Sequence, residues 1–219
     1  MWTSDLTIMM LEGIRDTLLM TLMSTLFGYL FGLPMGIALA VTDKTGIRPN
    51  AVVYKVLDVI VNIVRSVPFL ILLILVMPLT RAIVGKTTGS VATIVPLTLA
   101  AAPFIGRMIE SSLKEVDRGV IEAAESMGAS PFQIMFKVLL PEAKPSLLIG
   151  AAISVTTILG YSAMAGIVGG GGLGAIAMNY GYYRYQEDIM FITVILLVVI
   201  VQIMQEVGMK IATASDKRL

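Results

Sequence analysis

Residues 121–146 read IEAAESMGASPFQIMFKVLLPEAKPS, a comparatively polar stretch between strongly apolar segments. Residues 122–124 followed by Gly128 predict a short helix with a small-residue face that ends at a glycine corner. Ala and Gly remove side-chain bulk, so another backbone or helix end can approach such a face closely.

A second short helix is predicted immediately after this corner. Ser130 precedes Pro131, and Ser at an N-cap with Pro at the first helical position is a helix-start signal. The second helix is expected to end at Pro141. Two short helices that meet at a glycine corner form a rigid knob suited to docking into a groove of a partner. The alternative interpretation is an amphipathic loop with no partner.

The composition around this segment is that of an integral membrane protein. The chain is 57% hydrophobic and 14% charged, whereas soluble domains carry about 25% charged residues. A bilayer core requires about 20 mostly apolar helical residues. Four stretches carry no charge and a fifth carries only Arg65: 17–42, 87–106, 145–183, 189–205 and 59–80. The sequence therefore predicts an all-α, polytopic membrane protein with five transmembrane helices in a single domain over 1–219.

The breakers between these stretches set the predicted helix boundaries. Seven charged residues fall between 110 and 125, so residues 110–144 are expected to lie outside the hydrocarbon. Pro68 is expected to kink the second helix. The predicted helices cover about 15–41, 53–78, 91–112, 145 to the glycine run at 169–172, and 188–213.

Missing residue types exclude several classes of function. The chain has no Cys and no His, which argues against disulfides, thiol chemistry, zinc sites and an imidazole base. A net charge of +1 does not indicate a nucleic-acid partner. No catalytic or metal-binding residues are predicted, and Glu110, Asp117 and Glu125 are interpreted as solvated or interface charges.

The distribution of Lys and Arg predicts the orientation. With the N-terminus outside and the C-terminus in the cytoplasm, eleven basic residues fall in cytoplasmic pieces and four in outer pieces, leaving out Arg65. Cytoplasmic loops carry the excess of Lys and Arg in membrane proteins. Residues 110–144 then face the cytoplasm and the glycine run lies toward the outer face.

The knob resembles the signature of permease subunits in binding-protein-dependent ABC importers. That signature is E-A-A, three residues, G, nine residues, I, any residue, L-P. Val138 replaces the Ile here, and six of the seven positions agree: Glu122, Ala123, Ala124, Gly128, Leu140 and Pro141. Further stretches, among them RSVPFLILLILVMPLTR and GYSAMAGIVGGGGLGAIAMNYGYYRY, are similar to permeases of methionine importers over most of 65–185.

This resemblance implies a type I ABC importer permease fold that works as a homodimer. It also implies two copies of a separate ATPase, an extracytoplasmic methionine-binding lipoprotein, and coupling through the 122–141 segment. The chain has no G-x-x-x-x-G-K-[ST] motif, so ATP and Mg²⁺ are expected on the partner ATPase and no cofactor on this chain. Import of methionine, L- and D- forms alike, across the cytoplasmic membrane follows from the resemblance alone.

Two groups of residues are candidates for the substrate pathway. Arg65, with Ser66 beside it, shares a helix face with Asp58 and Asn62, and a charge so deep in a span should face water or the bundle interior. The alternative is a structural Arg that is bonded to backbone carbonyls or snorkels inward.

Near the outer part of the fourth helix, Tyr161, Ser162 and Met164 are the gate candidates, since flexible Met side chains can seal a pore and rearrange. The alternative is ordinary core packing. The nearby glycine run is predicted to provide positive-φ turns and close backbone approach at a crowded dimer axis, followed by a short helix with interfacial tyrosines.

Other functional classes remain open on the residues alone. A secondary transporter would show internal repeats and intramembrane acids, and only Asp58 meets the second condition. A channel or a membrane-anchored interaction protein needs no glycine-cornered knob. A permease for another small amino acid or solute is the main competitor.

Overall fold

A computed structural model describes residues 4–215, and every regular element in that range is helical, as predicted. The first half contains α1 (Ser4–Thr42), α2 (Ala51–Ser66), α3 (Phe69–Leu75), α4 (Met77–Val84) and α5 (Ser90–Lys114). The second half contains α6 (Arg118–Ser126), α7 (Pro131–Ile134), α8 (Leu140–Glu142), α9 (Lys144–Ala165), α10 (Gly172–Ile176) and α11 (Glu187–Ser215). Lys217 and Arg218, which count among the basic residues expected in the cytoplasm, lie outside the described residues.

Within residues 4–215, five candidate membrane spans are present when the broken second span is counted as one. α1, α5 and α11 are each long and apolar enough to cross a bilayer, as is the stretch from Lys144 to Tyr182. α1 begins at Ser4, well before the expected start near Arg15, since no breaker interrupts 4–15. Its 39 residues rise about 58 Å at 1.5 Å per residue, which exceeds a hydrocarbon core of about 30 Å.

The second span is broken, and the expectation of one kinked helix over 53–78 was wrong. α2 ends at Ser66, and α3 leaves it at an angle of 102°. Proline has no N–H and disfavours helical backbone in the residue before it. Val67 accordingly adopts an extended conformation, with φ −82° and ψ 124°.

α1 and α5 pack side by side through small residues. A Cβ atom on Gly32 would stand 2.6 Å from the Ala102 carbonyl oxygen, and one on Gly36 would stand 2.5 Å from that of Gly106. Gly28, one turn earlier, lies against the same helix at Ala101 and Ile105. Contacts advance along both helices in the same direction, so α1 and α5 run parallel. Three glycines at four-residue spacing permit this close approach.

The protomer core lies where α1, α5 and α9 meet. Met20, Leu97, Ile105 and Ile158 are fully buried there. α2 and α11 instead leave most of their apolar side chains exposed; only Ile189, Thr193 and Ala212 of α11 are buried. Apolar outer faces suit lipid or another membrane-embedded surface.

Candidate coupling and transport site

The predicted knob is present and comprises α6, α7 and α8 with the turn between them, residues 118–142. Asp117 caps α6 by accepting a hydrogen bond from the Gly119 N–H. Ala124 is 4% exposed and packs in the same cluster as Ile134 and Leu139. The knob is therefore folded onto the bundle. Residues 110–114, which open the polar segment expected over 110–144, form the last turn of α5.

The corner between α6 and α7 has the predicted geometry. Gly128 adopts φ +80°, in the left-handed region, and a Cβ at this position would meet nothing within 4 Å. Ser130 and Gln133 form a reciprocal capping box, and Pro131 occupies the first turn. The capping box satisfies orphan N–H groups at the start of α7 and fixes its direction. Gly128 is thus required for its backbone conformation and lies at an open surface.

Pro141 does not end the second short helix, which continues to Glu142. Met135–Leu139 forms a π-helical turn, in which the Leu140 N–H bonds the Met135 carbonyl oxygen. This extra residue in the turn accompanies the proline, which has no N–H to extend an α-helical pattern. Of the signature residues, Glu122, Ala123 and Pro141 are exposed and Ala124 is buried.

Large apolar side chains surround the exposed corner. Met127 is 82% exposed and Phe132 71%, and Phe136 is also exposed. The rings of Phe132 and Phe136 lie 4.4 Å apart. Sequence reasoning missed these three residues, although Phe132 and Phe136 stand one turn apart on the face opposite Ile134. Exposed apolar clusters of this kind mark interaction surfaces.

A polar network lies beside the knob, where α5 meets α2. The Arg107 guanidinium donates to Asp58 and to the Asn62 side-chain oxygen at 2.9 Å. It also pairs with Glu110 at 2.7 Å. Asp58 and Asn62 thus share one face of α2, as predicted, but Arg65 does not join them.

The network continues to the end of α1 through Lys114. This ammonium pairs with Glu110 and with Asp43, each at 2.7 Å, and the Tyr54 hydroxyl donates to Glu110 at 3.2 Å. Hydrogen bonds from Lys114 and, to a lesser extent, from the Thr45 backbone N–H lower the pKa of the Asp43 carboxyl to about 2. We call these seven residues the polar network: Asp43, Tyr54, Asp58, Asn62, Arg107, Glu110 and Lys114.

Glu110 is the centre of this network; it was expected to be a solvated or interface charge, and it is neither solvated nor at the protomer surface. The residue is 2% exposed, and its carboxylate meets Arg107, Lys114 and Tyr54. A buried carboxylate requires such partners because leaving water is costly for a charge. Its partners lie on α2 and α5, and sequence spacing could reveal only those on α5.

Three of the predicted pathway residues converge at the break in the second span. Arg65 and Tyr161 line one cavity together with Phe69, and Ser66 adjoins it at the end of α2. The Tyr161 and Phe69 rings stack with centroids 4.8 Å apart. Ser66 is exposed and donates to the Asn62 carbonyl oxygen.

Ser162 and Met164 are not among the residues that line this cavity. Ser162 is fully buried and donates to the Leu159 carbonyl oxygen within α9. Met164 is 48% exposed. The structure therefore groups Tyr161 with Arg65 and separates it from the other two residues. The gate role of all three stays a prediction.

The positive-φ turns predicted for the glycine run are present, and its place at a dimer axis stays a prediction. Gly169, Gly171 and Gly172 all have positive φ, between +70° and +86°. The close approaches lie within one protomer: the Gly89 N–H donates to the Gly169 carbonyl oxygen, and a Cβ on Gly172 would stand 2.6 Å from Thr17 Oγ1. These contacts join α1, α5 and α9 at the end of the bundle opposite the polar network.

The helix expected after the glycine run is also present. α10 continues into a π-helical turn over Ala177–Tyr182, and Tyr182, Tyr183 and Tyr185 are exposed around its end. Exposed tyrosines are typical of a membrane–water interface.

Apolar spans, a broken span beside a cavity and a folded knob with an exposed apolar corner define a class of protein: a membrane-embedded transport subunit. The family model described as "Binding-protein-dependent transport system inner membrane component" matches residues 32–211. The chain belongs to this family.

Named relatives make the family more specific. The chain is 50% identical to the "Probable D-methionine transport system permease protein MetI" of Vibrio cholerae over 182 residues, covering 83% of this chain and 81% of that protein. It is 42% identical to the "Methionine import system permease protein MetP" of Bacillus subtilis, over 82% of this chain and 81% of that protein.

A solved structure agrees along the whole chain. A chain of the MetNI methionine ABC transporter in an inward-facing conformation superposes with a TM-score of 0.96 at 47% identity, covering 99% of this chain and 100% of that one. A chain from an amino acid ABC transporter has a TM-score of 0.75 at 22% identity, covers 97% of this chain and 95% of that one, and shares the fold. The predicted type I importer permease fold is confirmed.

Proposed function

We propose that this chain is the permease subunit of an ATP-driven importer that moves methionine across the cytoplasmic membrane by alternating access. Two copies of the chain would form the path and bind two copies of a separate ATPase, which holds ATP and Mg²⁺. An extracytoplasmic binding lipoprotein would deliver the substrate. The relatives named for methionine transport and the match to a methionine transporter chain support this assignment.

The observation that carries the coupling role is the exposed apolar corner of the knob. Met127 precedes Gly128, and Phe132 and Phe136 are exposed just after it, on a segment whose other side is packed into the core. Such a surface is costly in water and is covered when it docks into a groove. The ATPase subunit is the partner that the family's mechanism requires.

Contacts within the protomer connect the knob to the membrane-spanning helices. α6 follows α5 directly, and the polar network links the last turns of α5 to α2 and to the end of α1. If the membrane-spanning helices have two conformations and only one of them permits closure of the ATPase subunits, ATP binding favours that conformation. Tilting of the knob would then move α5 and α2 together.

The proposed coupling role also predicts the orientation of the chain in the membrane. The knob lies at the C-terminal ends of α1 and α5, which run parallel, and the glycine run lies at the other end. With the knob on the ATPase side, the N-terminus is outside and the C-terminus is in the cytoplasm. The excess of basic residues on the knob side supports this arrangement.

Uptake of radiolabelled methionine into proteoliposomes that contain this chain, its ATPase and the binding protein tests the proposal. Vesicles whose knob faces the lumen take up methionine, whereas those with the opposite orientation would move it outward. With ATP and Mg²⁺ enclosed and the binding protein outside, we expect uptake that requires both ATP and binding protein. Gly128→Trp should reduce uptake at least about tenfold, because a bulky side chain at this corner obstructs docking. ATP hydrolysis should no longer respond to the binding protein.

Gly85→Trp is the matched control for this substitution. Gly85 has φ +82°, lies at the end of α4 away from the knob, and has open space where a Cβ atom would stand, with nothing within 4 Å. Both variants carry the same kind of backbone strain, so docking distinguishes them. Normal uptake by Gly128→Trp would contradict the coupling role. Uptake that follows an ion gradient without ATPase would contradict the assignment as an ATP-driven importer. Preference for another amino acid would contradict methionine as the substrate.

A further inference from the structure

The break in the second span exposes backbone within a membrane-spanning segment. α2 ends at Ser66 and α3 begins at Phe69, so the residues between them follow no helical pattern. Non-helical backbone at membrane depth is tolerated only where it is buried in protein or lines a polar cavity. The break therefore marks a place where the bundle has to provide such an environment.

A cavity of about 190 Å³ lies at this break. Its walls come from three spans, α2 with α3, α5 and α9. Its lining residues include Arg65, Phe69, Leu72, Ala100, Phe104 and Tyr161. The volume is below the roughly 300 Å³ at which pockets for drug-sized ligands begin, which suits a ligand of amino-acid size.

The lining of this cavity combines two kinds of chemistry. The stacked pair Phe69–Tyr161 forms an aromatic wall, with ring planes 7° apart. Phe104 and Leu72 extend the apolar surface. Arg65 adds a full positive charge, so one cavity offers both an apolar and a cationic surface.

Arg65 has no ion-pair partner within residues 4–215. The nearest acid along its helix face, Asp58, is bonded to Arg107. Arg65 lies in the last turn of α2, where the helix end offers only about half an elementary charge of the opposite sign. A guanidinium in a membrane span calls for a counter-charge, and a carboxylate matches its fork of donors.

We propose that this cavity is a transit site for a zwitterionic amino acid with an apolar side chain. Arg65 binds the ligand's carboxylate, and the Phe69–Tyr161 pair receives the ligand's side chain. A thioether sulfur gains from contact with aromatic rings, so methionine fits this wall. The inference rests on the proposed function, and it adds the residues that hold the substrate between the two membrane faces.

Cysteine protection tests the site directly, because the chain has no native Cys. Ala100→Cys places one thiol in the cavity wall, and Ala82→Cys places one on the exposed surface of α4 as the control. Both variants are assembled with the ATPase, without nucleotide, and modified with a maleimide. Methionine should slow modification of Ala100→Cys at least about fivefold, and methioninamide, which lacks the carboxylate, should not. The control thiol should react at one rate throughout.

Adding Arg65→Gln to Ala100→Cys should abolish protection by methionine, and Arg65→Lys should retain part of it. Equal protection by methionine and methioninamide, or full protection in the Arg65→Gln background, would overturn the carboxylate site. Lack of any protection would overturn the cavity as a transit site. The Arg65→Lys variant and an unchanged rate at Ala82→Cys separate these outcomes from misfolding.

Uptake by the unmodified complex separates this inference from the proposed function. If the complex takes up methionine but the Ala100→Cys thiol is not protected, the transit site is contradicted and the proposed importer function stands. If methionine protects the thiol but the complex transports no methionine, the binding site stands and the proposed import function is contradicted.

Discussion

The two ends of the α1–α5 pair are fastened by opposite chemistry. At the knob end, the polar network joins α1, α2 and α5 through a buried Glu110 and two cations. At the other end, glycines 169–172 fit closely against α1 and the start of α5, and the Gly89 N–H donates to the Gly169 carbonyl oxygen. Charges attract over several Å, whereas close contacts have a repulsive wall within tenths of an Å. We therefore expect the knob end to tolerate relative motion and the glycine end to resist it.

The largest effect is expected at the centre of the polar network. Glu110→Gln keeps the shape of the side chain but removes the one buried anion that Arg107 and Lys114 share, which leaves these partly exposed cations with Asp58 and Asp43. Breaking a fully buried pair from one side costs about 3–5 kcal/mol, and the partial exposure of both cations places this variant near the lower end of that range. We expect a clear drop in the apparent melting temperature of the purified protein in detergent.

Glu206→Gln is the matched control for Glu110→Gln. Glu206 pairs with Lys210 at 3.3 Å on α11, and both side chains are more than 70% exposed. An exposed pair contributes little, so the melting temperature should not change measurably. Equal shifts in the two variants would show that the polar network does not fasten this end.

The next effect is expected at Gly172. Gly172→Ala combines a φ of +70° with a Cβ 2.6 Å from Thr17 Oγ1, the atom that accepts the Leu173 N–H at 2.9 Å. Backbone strain and overpacking together should destabilise the protein by about 2–3 kcal/mol. Gly160→Ala is the control, since this helical glycine has nothing within 4 Å of its Cβ position and normal helical φ. Its melting temperature should stay the same or rise, and an equal loss in both variants would contradict the steric argument.

Substitutions at Gly169 test the effect of backbone strain with little steric crowding. Gly169 has φ +83°, but the nearest atom to its Cβ position is a Thr88 methyl carbon at 3.3 Å. Gly169→Ala should therefore cost about 1 kcal/mol, less than Gly172→Ala. Gly169→Asn should cost less still, because Asn tolerates the left-handed region better. A melting temperature lower for Asn than for Ala would indicate that space limits this position.

The smallest effect is expected at the rim of the polar network, and it should depend on the solution. Asp43→Asn removes the partially exposed pair with Lys114, so its destabilisation should shrink at about 1 M salt while that of Gly172→Ala persists. Because the folded-state pKa of Asp43 is depressed, its contribution is complete above about pH 4 and is lost as the pH falls toward about 2. Melting curves measured at high salt and at acidic pH check that the stabilisation by Asp43 decreases under both conditions. A salt-independent loss would contradict an electrostatic role.

Local sequence signals determined much of the architecture. Charge-free stretches of about 20 residues identified the spans, because hydrocarbon excludes charge over a fixed length. The Gly128 corner and the Ser130-Pro131 start were predictable for a similar reason, since φ preference and capping act within a few residues. Gly28, Gly32 and Gly36 also form a packing signal in the sequence, a small residue at every fourth position.

Only the tertiary structure decided which of these pieces meet. Glu110 was expected to be a solvated or interface charge, yet it is buried inside the protomer because Tyr54, 56 residues away, and the two cations of α5 surround it. Pro68 indicated a bend, but not that α2 would end there at 102° and place Arg65 beside Tyr161. Such contacts join residues far apart in the chain, and spacing along one helix contains no information about them. The sequence by itself set the spans and the knob, and the packing of α2, α5 and α9 set the cavity and the polar network.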